Sequence, residues 1–344
     1  MPQGKKGAEP VARVAVIVPN WNGAGLLKGC LASLRRQTFR DFETLVVDGG
    51  SEDGSAELVR ASFPEVRLLE LGENRGFAAA ANAGIRASRA ELVALLNNDT
   101  EQDPGWLGAL VRAADAHPEA GMFASKLVDF RDRRYLDGAG DAIRLSGFPY
   151  RLGHGERDRG QFDRPAYVFG ACAAAALYRR RMLEEIGLFD EDFGSYCEDA
   201  DLSFRAQLAG HRCLYVPGAV VYHLGSASTG GKRSPTATRL GTRNSLLLLA
   251  KNLPLPVVPH LLPFLMAGQA ARLLTAASTG TLLPHLEGLA GAARMLPAAL
   301  AKRRGIQATR RVSGAEVRRL LRASSLDAAV SLARRIRDHA LRGG

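Results

Sequence analysis

VARVAVIVPN (residues 11–20) is a compact run of β-branched side chains that ends at Pro19 and Asn20, and it predicts a buried strand. Three more apolar runs follow it, and they are ETLVVD (43–48), VRLLEL (66–71) and ELVALLN (91–97). Residues with helical spacing lie between and after these runs, over 26–36, 55–60, 77–88 and 104–116. Strands that alternate with helices predict an α/β fold, with a mostly parallel central sheet flanked by helices.

Polar residues follow each of the four predicted strands. They are Asn20, Trp21 and Asn22, then Asp48, Ser51 and Asp53, then Asn74, Arg75 and Gly76, and finally Asn97, Asn98 and Asp99. Any one group alone fits a turn or a helix cap. Four groups in succession at the carboxyl edge of one sheet favour a binding cleft, since ligands of such sheets bind there. The chain has no GxGxxG after the first strand and no GxxxxGK[ST], which argues against a dinucleotide fold for hydride transfer and against a P-loop.

The composition is that of a globular protein. The chain has 344 residues, 46% hydrophobic and 24% charged, which predicts two domains or one large α/β domain with an extension. Four cysteines without a CxxC pair predict reduced thiols in a cytosolic protein. The first twelve residues lack the apolar run of a secretory signal.

Most of the net charge of +11 lies near the C-terminus, where residues 300–344 contain twelve basic and three acidic residues. This stretch has no aromatic residue for base stacking, which argues against nucleic acid as a partner. An anionic membrane surface fits better. Apolar residues there recur at helical spacing and predict interfacial amphipathic helices, and they are Val317, Leu320, Leu321, Leu326, Val330 and Ala333. A helical hairpin packed on the body, with a solvated basic face, is the alternative.

The stretch LLLLAKNLPLPVVPHLLPFLMAG (246–268) is long enough for a membrane span. Four prolines within it remove amide donors, and Lys251 and His260 interrupt the apolar run. A spanning helix would leave the freed carbonyls unsatisfied in lipid, so we expect a surface-seated or re-entrant segment instead.

Six motifs, taken together, carry a resemblance to a known family. They are VAVIVPNWNG (14–23), LVVDGGSEDGS (45–55), ENRGFAAAANAGI (73–85), LLNNDT (95–100), GLFDEDFGSYCEDADLSFR (187–205) and VVYHLGSAS (220–228). In this order they resemble the family-2 inverting glycosyltransferases with a GT-A fold, and in particular bacterial rhamnosyl- and galactofuranosyl-transferases of polysaccharide synthesis. The resemblance implies a disordered N-terminus (1–12), a GT-A domain (13–245) and a helical, basic, membrane-associating region (246–344).

The resemblance also implies a site for a nucleotide-diphosphate sugar. The residues that it places against the donor are Pro19, Trp21, Asn22, Asp48, Asn74, Gly76, Asn98 and Arg243. Core packing is the alternative for Trp21, a helix-entry turn for Asn74 and Gly76, and a basic anchor at the membrane edge for Arg243. Gly49 stands where the family commonly has Asn, which leaves the nucleobase open.

LLNNDT occupies the position of the family's DxD motif, with Asn97 in place of the first acid. The resemblance implies that Asp99 and His223 bind Mg²⁺ or Mn²⁺, which offsets charge on the diphosphate. A lone histidine at a strand end is otherwise usually structural.

Asp199 is implied to be the carboxylate that takes the proton of the acceptor hydroxyl, with Glu198 beside it in the catalytic pair. Acids in the first turn of a helix also complement its dipole, which is the alternative. The implied activity is inverting transfer of a sugar to a lipid-linked or polysaccharide acceptor at the inner face of the cell membrane. Rhamnose from dTDP-rhamnose is favoured over a UDP-sugar. An inactive nucleotide-binding membrane scaffold, a nucleotidyltransferase and a sugar oxidoreductase are the alternatives.

Overall fold

The computed structural model describes residues 11–225 and 234–340. The expectation of disorder over 1–12 therefore falls almost entirely outside the described residues, as do Ser226–Ser228 of the last motif. The strands of the described part are β1 (Val14–Asn20), β2 (Phe42–Asp48), β3 (Arg67–Glu70), β4 (Leu92–Leu96), β5 (Thr100–Gln102), β6 (Ala120–Asp129), β7 (Leu136–Gly138), β8 (Asp141–Ile143), β9 (Pro149–Arg151), β10 (Ala166–Val168), β11 (Ala175–Arg179) and β12 (Arg212–His223).

Ten α-helices accompany these strands in the part of the chain that the structure describes. They are α1 (Ala24–Arg35), α2 (Ser55–Ser62), α3 (Phe77–Ala87), α4 (Trp106–Ala116), α5 (Arg180–Ile186), α6 (Glu198–Leu208), α7 (Pro235–Asn252), α8 (Val258–Ser278), α9 (Leu282–Ala308) and α10 (Gly314–Ala340). Short 3-10 helices lie at Glu191–Phe193 and Leu255–Val257. The α/β fold and its first four strands are confirmed. The helix predicted from residue 104 begins two residues later, because Pro104 and Gly105 form the turn before it.

The central sheet has the strand order β10-β12-β6-β11-β4-β1-β2-β3. The first four strands of the chain are parallel, as their alternation with helices predicts. Beyond them the sheet is mixed, because β11 enters between β4 and β6 and runs antiparallel to both. Strand β6 therefore runs in the same direction as β4, and β12 pairs parallel with β6. Six strands thus end at the same edge of the sheet.

Each face of the sheet is covered by helices. On one face α1 and α4 contribute Leu27, Leu31 and Trp106 to the core, and on the other α3, α5 and α6 pack against the strands. Ala78 and Ala81 of α3 are fully buried, as the alanine-rich sequence predicts for close helix–sheet packing. Gly84 allows this approach, since a Cβ there would lie 2.4 Å from a methyl group of Ile17.

The C-terminal helices form a third layer, whose core includes Phe204 of α6, Leu248 of α7 and Val317 of α10. The domain boundary predicted at residue 245 falls inside α7, which packs as one unit against α6 and α9. The amphipathic stripe predicted for α10 is also divided, because Val317 and Leu321 are buried whereas Leu326 is 64% exposed. The burial of Val317 and Leu321 fits the alternative of a helical hairpin packed on the body, which was considered for residues 300–344.

Candidate active site

A cavity of about 780 Å³ opens at the carboxyl edge of the sheet. Its floor comes from residues that directly follow β1 and β4 and from the end of β12. Loops between β7 and β11 form one wall, and α6, α7 and α8 form another. Because the strands that carry its floor residues run in the same direction, the topology predicts a ligand site at this place.

Asp99 and His223 meet in this cavity although they lie 124 positions apart in the chain. Strand β5 follows Asp99 and pairs antiparallel with β12, which sets Thr100 opposite His223. The amide of Leu224 donates to the carbonyl of Asp99 at 3.0 Å and extends this pairing. Asp99 Oδ1 therefore lies 3.3 Å from His223 Nε2.

These two atoms fit a divalent cation. Both are buried, and neither has a hydrogen-bond partner among residues 11–225 and 234–340. A buried polar atom without a partner costs free energy, and native proteins rarely leave one unless a ligand, ion or water completes it. A carboxylate oxygen and an imidazole nitrogen are both ligand types that divalent metals accept.

Asp137 of β7 holds the other side of the imidazole. His223 Nδ1 and Asp137 Oδ2 are 2.7 Å apart, so the ring donates a hydrogen bond from Nδ1 to this carboxylate, and in the neutral imidazole Nε2 is then the acceptor. Burial alone would lower the pKa of His223, but the hydrogen bond with Asp137 and the nearby carboxylate of Asp99 raise it. Burial opposes the charge on Asp137, yet Arg151 and the two neighbouring histidines, His154 and His223, hold its pKa well below the usual range.

Arg151 of β9 connects this pair to the acidic side of the cavity. Its Nη1 contacts Asp137 Oδ2 at 2.8 Å, and its Nη2 donates to the sulfur of Cys172 at 2.7 Å. Asp141, Cys172 and Asp199 form a second group of possible metal ligands, whose ligand atoms all lie within 4.8 Å of one another. Burial keeps the pKa of the Cys172 thiol well above its ordinary value, and the Arg151 guanidinium already supplies a positive charge to this group.

Asp199 and Glu198 begin α6 and both line the cavity. The Asp199 carboxylate accepts from the amides of Ala173 (3.3 Å) and Ala200 (2.8 Å), which fix its orientation. Glu198 is 8% exposed and its Oε2 has no partner in the described part of the chain. Burial and the neighbouring Asp199 raise the pKa of Glu198 well above its ordinary value. Of the two carboxylates, Asp199 is the one whose orientation is fixed by backbone amides.

Five of the residues predicted to contact the donor line the end of the cavity formed by β1–β3, and they are Pro19, Trp21, Asn74, Gly76 and Asn98. Trp21 is 44% exposed, so core packing does not explain it. Asn74 accepts from the amide of Gly76 at 2.9 Å, which is the helix-entry turn considered above. Gly76 has φ +85°, and a Cβ there would lie 3.1 Å from the backbone of Gly194.

Three predicted donor residues lie outside this lining. Asp48 is 2% exposed, and its carboxylate accepts four hydrogen bonds, from Asn20, Gly50 and both donors of Ser51. The Asn22 side chain accepts from the amide of Glu52. Both residues shape the loops under the donor end rather than face the cavity.

Arg243 does not face the cavity either. Its guanidinium donates to the carbonyls of Asp192 and Phe193, and Asn244 beside it donates to three carbonyls of the same loop. The Arg–Asn pair therefore holds the loop before Asp199, which corrects the expectation that Arg243 meets the diphosphate. The membrane-edge anchor is not its role in this structure, since burial lowers its pKa and its contacts are internal.

Asp137, Arg151 and Arg272 line or support the cavity and were not found from the sequence. The Gly-rich stretch DGAGD (137–141) and a single arginine within the apolar residues 253–279 were the available signals. Neither signal tells which strand or helix brings the side chain to the site.

A sheet of this order, with a nucleotide-sized cleft at its carboxyl edge and acidic side chains in it, defines the class of GT-A glycosyltransferases. A solved structure with this fold is a mannosyltransferase from Pyrobaculum calidifontis in complex with GDP-Man and Mn²⁺, which matches with a TM-score of 0.53 at 22% identity. The match covers 88% of this chain and 86% of that one.

The model of glycosyl transferase family 2 matches residues 15–187, and the chain belongs to this family. An N-acetylglucosaminyl-diphospho-decaprenol L-rhamnosyltransferase of Mycobacterium tuberculosis is 31% identical over 240 residues, covering 62% of this chain and 77% of the relative. The succinoglycan biosynthesis protein ExoO of Rhizobium meliloti is 31% identical over 226 residues, covering 64% of this chain and 63% of that protein. The chain is thus a glycosyltransferase of glycan biosynthesis, which excludes the nucleotidyltransferase and oxidoreductase alternatives.

Proposed function

We propose that this protein is an inverting glycosyltransferase that moves a sugar from a nucleotide-diphosphate donor to a lipid-linked glycan acceptor. The observation that carries the proposal is the placement of Asp199 in the same cleft as the Asp99–His223 pair and the donor end. A base on one side of the sugar and a diphosphate held on the other is the arrangement that direct displacement requires.

In this mechanism the acceptor hydroxyl oxygen attacks the anomeric carbon while Asp199 takes its proton. The bond from that carbon to the diphosphate oxygen breaks, and the nucleoside diphosphate leaves with both electrons. Glu198, whose pKa is raised by burial and by Asp199, lies beside Asp199 in the cleft. Asp99 and His223 would hold Mg²⁺ or Mn²⁺, which would supply positive charge for the diphosphate. Trp21 provides a face for the nucleobase.

The proposal is tested with Asp199→Asn, with Glu57→Gln on the exposed face of α2 as the control. We expect Asp199→Asn to lower kcat by a factor of about 10² to 10⁴ while nucleotide affinity is kept, because the base acts only as the acceptor oxygen attacks. The anomeric coupling constant of the wild-type product, measured by NMR, should show inversion. A retained configuration, or full activity of Asp199→Asn, would contradict the assignment.

Rhamnose from dTDP-rhamnose is the proposed donor, supported by the L-rhamnosyltransferase among the relatives. Thermal shifts with UDP, dTDP and GDP, each with Mn²⁺ and again with EDTA, test this choice. A nucleotide at about 100 times its Kd stabilises by roughly 2.7 kcal/mol, so dTDP with Mn²⁺ should raise Tm by several degrees. A Tm shift with UDP or GDP but not with dTDP would contradict dTDP-rhamnose as the donor. A Tm shift that EDTA leaves unchanged would contradict a role for the metal in nucleotide binding.

We further propose that the protein works at the cytoplasmic face of the membrane, with α8 and α9 against the lipid. Among the described residues, one helical stretch (Leu255–Ser278, mean hydropathy 1.3) is long and apolar enough to cross a membrane, and 11% of its most apolar window is buried. Leu261 and Ala276, near its two ends, are buried against the body. A helix attached at both ends lies along the protein surface, which supports a surface-seated segment.

A further inference from the structure

Arg272 lies on α8 and faces inward, into the cavity that contains Asp199. Its Nη1 donates to the hydroxyl of Ser245 at 3.0 Å and to the carbonyl of Gly241 at 3.4 Å, both on α7. The guanidinium also stacks 4.5 Å from the ring centroid of Phe148. These contacts hold the side chain in one orientation toward the cleft.

The charge of Arg272 has no carboxylate counter-ion in the part of the chain that the structure describes. Across residues 11–225 and 234–340, no carboxylate oxygen lies within 4.0 Å of its guanidinium nitrogens. Burial lowers its pKa, so the cation is poorly solvated. Because this half-buried guanidinium lacks a carboxylate partner among the described residues, an anionic ligand from outside the chain would pair with it.

Two other arginines line the same end of the cavity. Arg144 stacks 4.4 Å from the ring centroid of Tyr150, and Arg335 reaches over Gly155 from α10. Neither forms an ion pair in the part of the chain that the structure describes. Trp21 and Gly76 line the same cavity from the loops that follow β1 and β3.

The exposed surface of α8 is largely apolar. Leu274 is 71% exposed and Met266 is 64% exposed, and Leu262, Phe264 and Leu273 are also exposed. Helix α8 thus carries a cationic side chain that lines the catalytic cleft and an apolar surface that is exposed outside it. A molecule that joins phosphate to a long hydrocarbon chain matches both.

We propose that Arg272, assisted by Arg144 and Arg335, binds the phosphate groups of a lipid-diphosphate-linked acceptor. This inference rests on the proposed function, because it takes the acceptor to be lipid-linked. The guanidinium fork of Arg272 matches the geometry of phosphate oxygens. Bound there, the diphosphate places the acceptor sugar beside Asp199, and the hydrocarbon chain stays with the lipid along α8.

The test uses geranylgeranyl diphosphate as the probe, titrated into the full chain in detergent and followed by calorimetry. Geranylgeraniol and inorganic pyrophosphate are the comparison ligands, and dTDP and UDP with Mn²⁺ are titrated in parallel. The variants are Arg272→Gln and Arg335→Gln, with Arg294→Gln, an exposed residue of α9, as the matched control. Arg335 is itself exposed, so its variant folds even where Arg272→Gln does not.

We expect Arg272→Gln to weaken geranylgeranyl diphosphate binding about tenfold to a hundredfold, which is what loss of a hydrogen bond between charged groups costs. Arg335→Gln should weaken it about threefold, and Arg294→Gln should leave it unchanged. Nucleotide affinity should stay constant in all three, and geranylgeraniol should bind weakly.

Equal diphosphate binding by Arg335→Gln, Arg272→Gln and Arg294→Gln overturns the proposal. Loss of nucleotide binding in Arg272→Gln overturns it too, since the arginine would then serve the donor. If pyrophosphate binds as tightly as geranylgeranyl diphosphate, the hydrocarbon chain contributes nothing to binding, and a lipid-linked ligand is contradicted. If the proposed function itself is wrong, the wild-type chain should bind no nucleotide with Mn²⁺. That result can be told apart from each of the outcomes above.

Discussion

At the scale of single residues, the site depends on which polar atoms are left without internal partners. Asp99 Oδ1, His223 Nε2 and Glu198 Oε2 are buried and unpaired in the described part of the chain, and all three residues line the cleft. Asp48, by contrast, uses its acceptors within its own loop. In the cleft these unpaired atoms are available to a ligand, whereas the paired oxygens of Asp48 complete their own loop.

Asp137 is predicted to position His223 for the metal. We expect Asp137→Asn to weaken Mn²⁺ binding about tenfold to a hundredfold, because the carboxylate fixes the ring and its tautomer. Mn²⁺ titration followed by the EPR signal of the free ion measures this directly, without turnover. Asp132→Asn, on the exposed turn that leads to the same strand, is the control. Equal Mn²⁺ affinity in the two variants would contradict the prediction that Asp137 positions His223 for the metal.

Glu198 is predicted to make stability depend on pH. Its pKa in the folded chain is raised, so between about pH 4.3 and that raised value the folded state binds one proton more than the unfolded state. Stability therefore falls as pH rises through this window, by at most about 1.4 kcal/mol per pH unit. Glu198→Gln should flatten the dependence of unfolding free energy on pH between 5 and 8. The slope of Glu57→Gln should match the wild type, and an unchanged slope in Glu198→Gln would disprove the assignment.

At the scale of elements, α7 holds the acidic loop that precedes α6. Tyr196 and Cys197 adopt left-handed backbone conformations, with φ of 71° and 66°, which cost free energy for side chains with a Cβ. Asn244 Nδ2 donates to the carbonyls of Phe193, Ser195 and Tyr196 at 2.7–3.0 Å. The helix thus supplies the hydrogen bonds that keep this strained turn in place.

Buried ion pairs join the same helix to the loop. Lys251 contacts Asp190 and lies 2.9 Å from Asp201, and it also faces the ring of Phe193. Asp201 in turn pairs with Arg205 one turn along α6. The lysine that interrupts the apolar run 246–268 is therefore an internal connection and not a membrane-surface charge.

Asn244→Ala should lower kcat at least tenfold while donor nucleotide affinity stays within about twofold. The expected cause is displacement of Asp199, because three buried carbonyls lose their donor and the turn relaxes. Steady-state kinetics with separate nucleotide titrations distinguishes this from a loss of fold. Thr236→Ala, exposed at the start of α7, is the control. A loss of nucleotide affinity equal to the loss of kcat would contradict a positioning role.

At the scale of the whole molecule, the C-terminal helices complete the cleft and also carry the apolar outer surface. Arg272 and Ser245 line the cavity from α8 and α7, while Phe264 and Met266 of α8 face solvent. Ser324 and Ser331 of α10 bond to amides of residues 143 and 153, which fixes this helix on the wall of the cleft. The catalytic cleft and the proposed membrane face are therefore parts of one packed structure.

The variant Phe264→Ser with Met266→Ser should bind anionic phosphatidylglycerol vesicles about tenfold more weakly than the wild type. The two side chains are about half or more exposed, and burying apolar side chains in lipid supplies the binding free energy. Vesicle co-sedimentation at several salt concentrations measures it. Leu326→Ser on α10 has the same exposure as Met266 and serves as the control. Unchanged vesicle binding by the double variant would place the membrane face elsewhere.

The sequence alone determined the alternation of strands and helices and the positions where β1, β2 and β4 end. It also singled out Asp99, Asp199 and His223 as candidate site residues, and the structure brings all three to one cleft. These features are local, because hydrophobic periodicity and turn residues act over a few positions. The resemblance of the motifs to a known family supplied the roles.

Only the tertiary structure decided which side chains share the cleft. Asp137 reaches His223 through the pairing of β7 and β12 with β6, and Arg272 reaches the cleft because α8 packs across the loop at Phe148. Asp48 and Arg243 have suitable chemistry, but their hydrogen bonds are used inside the fold. A residue type shows what a side chain can bind, whereas strand register and helix packing, set by contacts between residues far apart in the chain, select its partner.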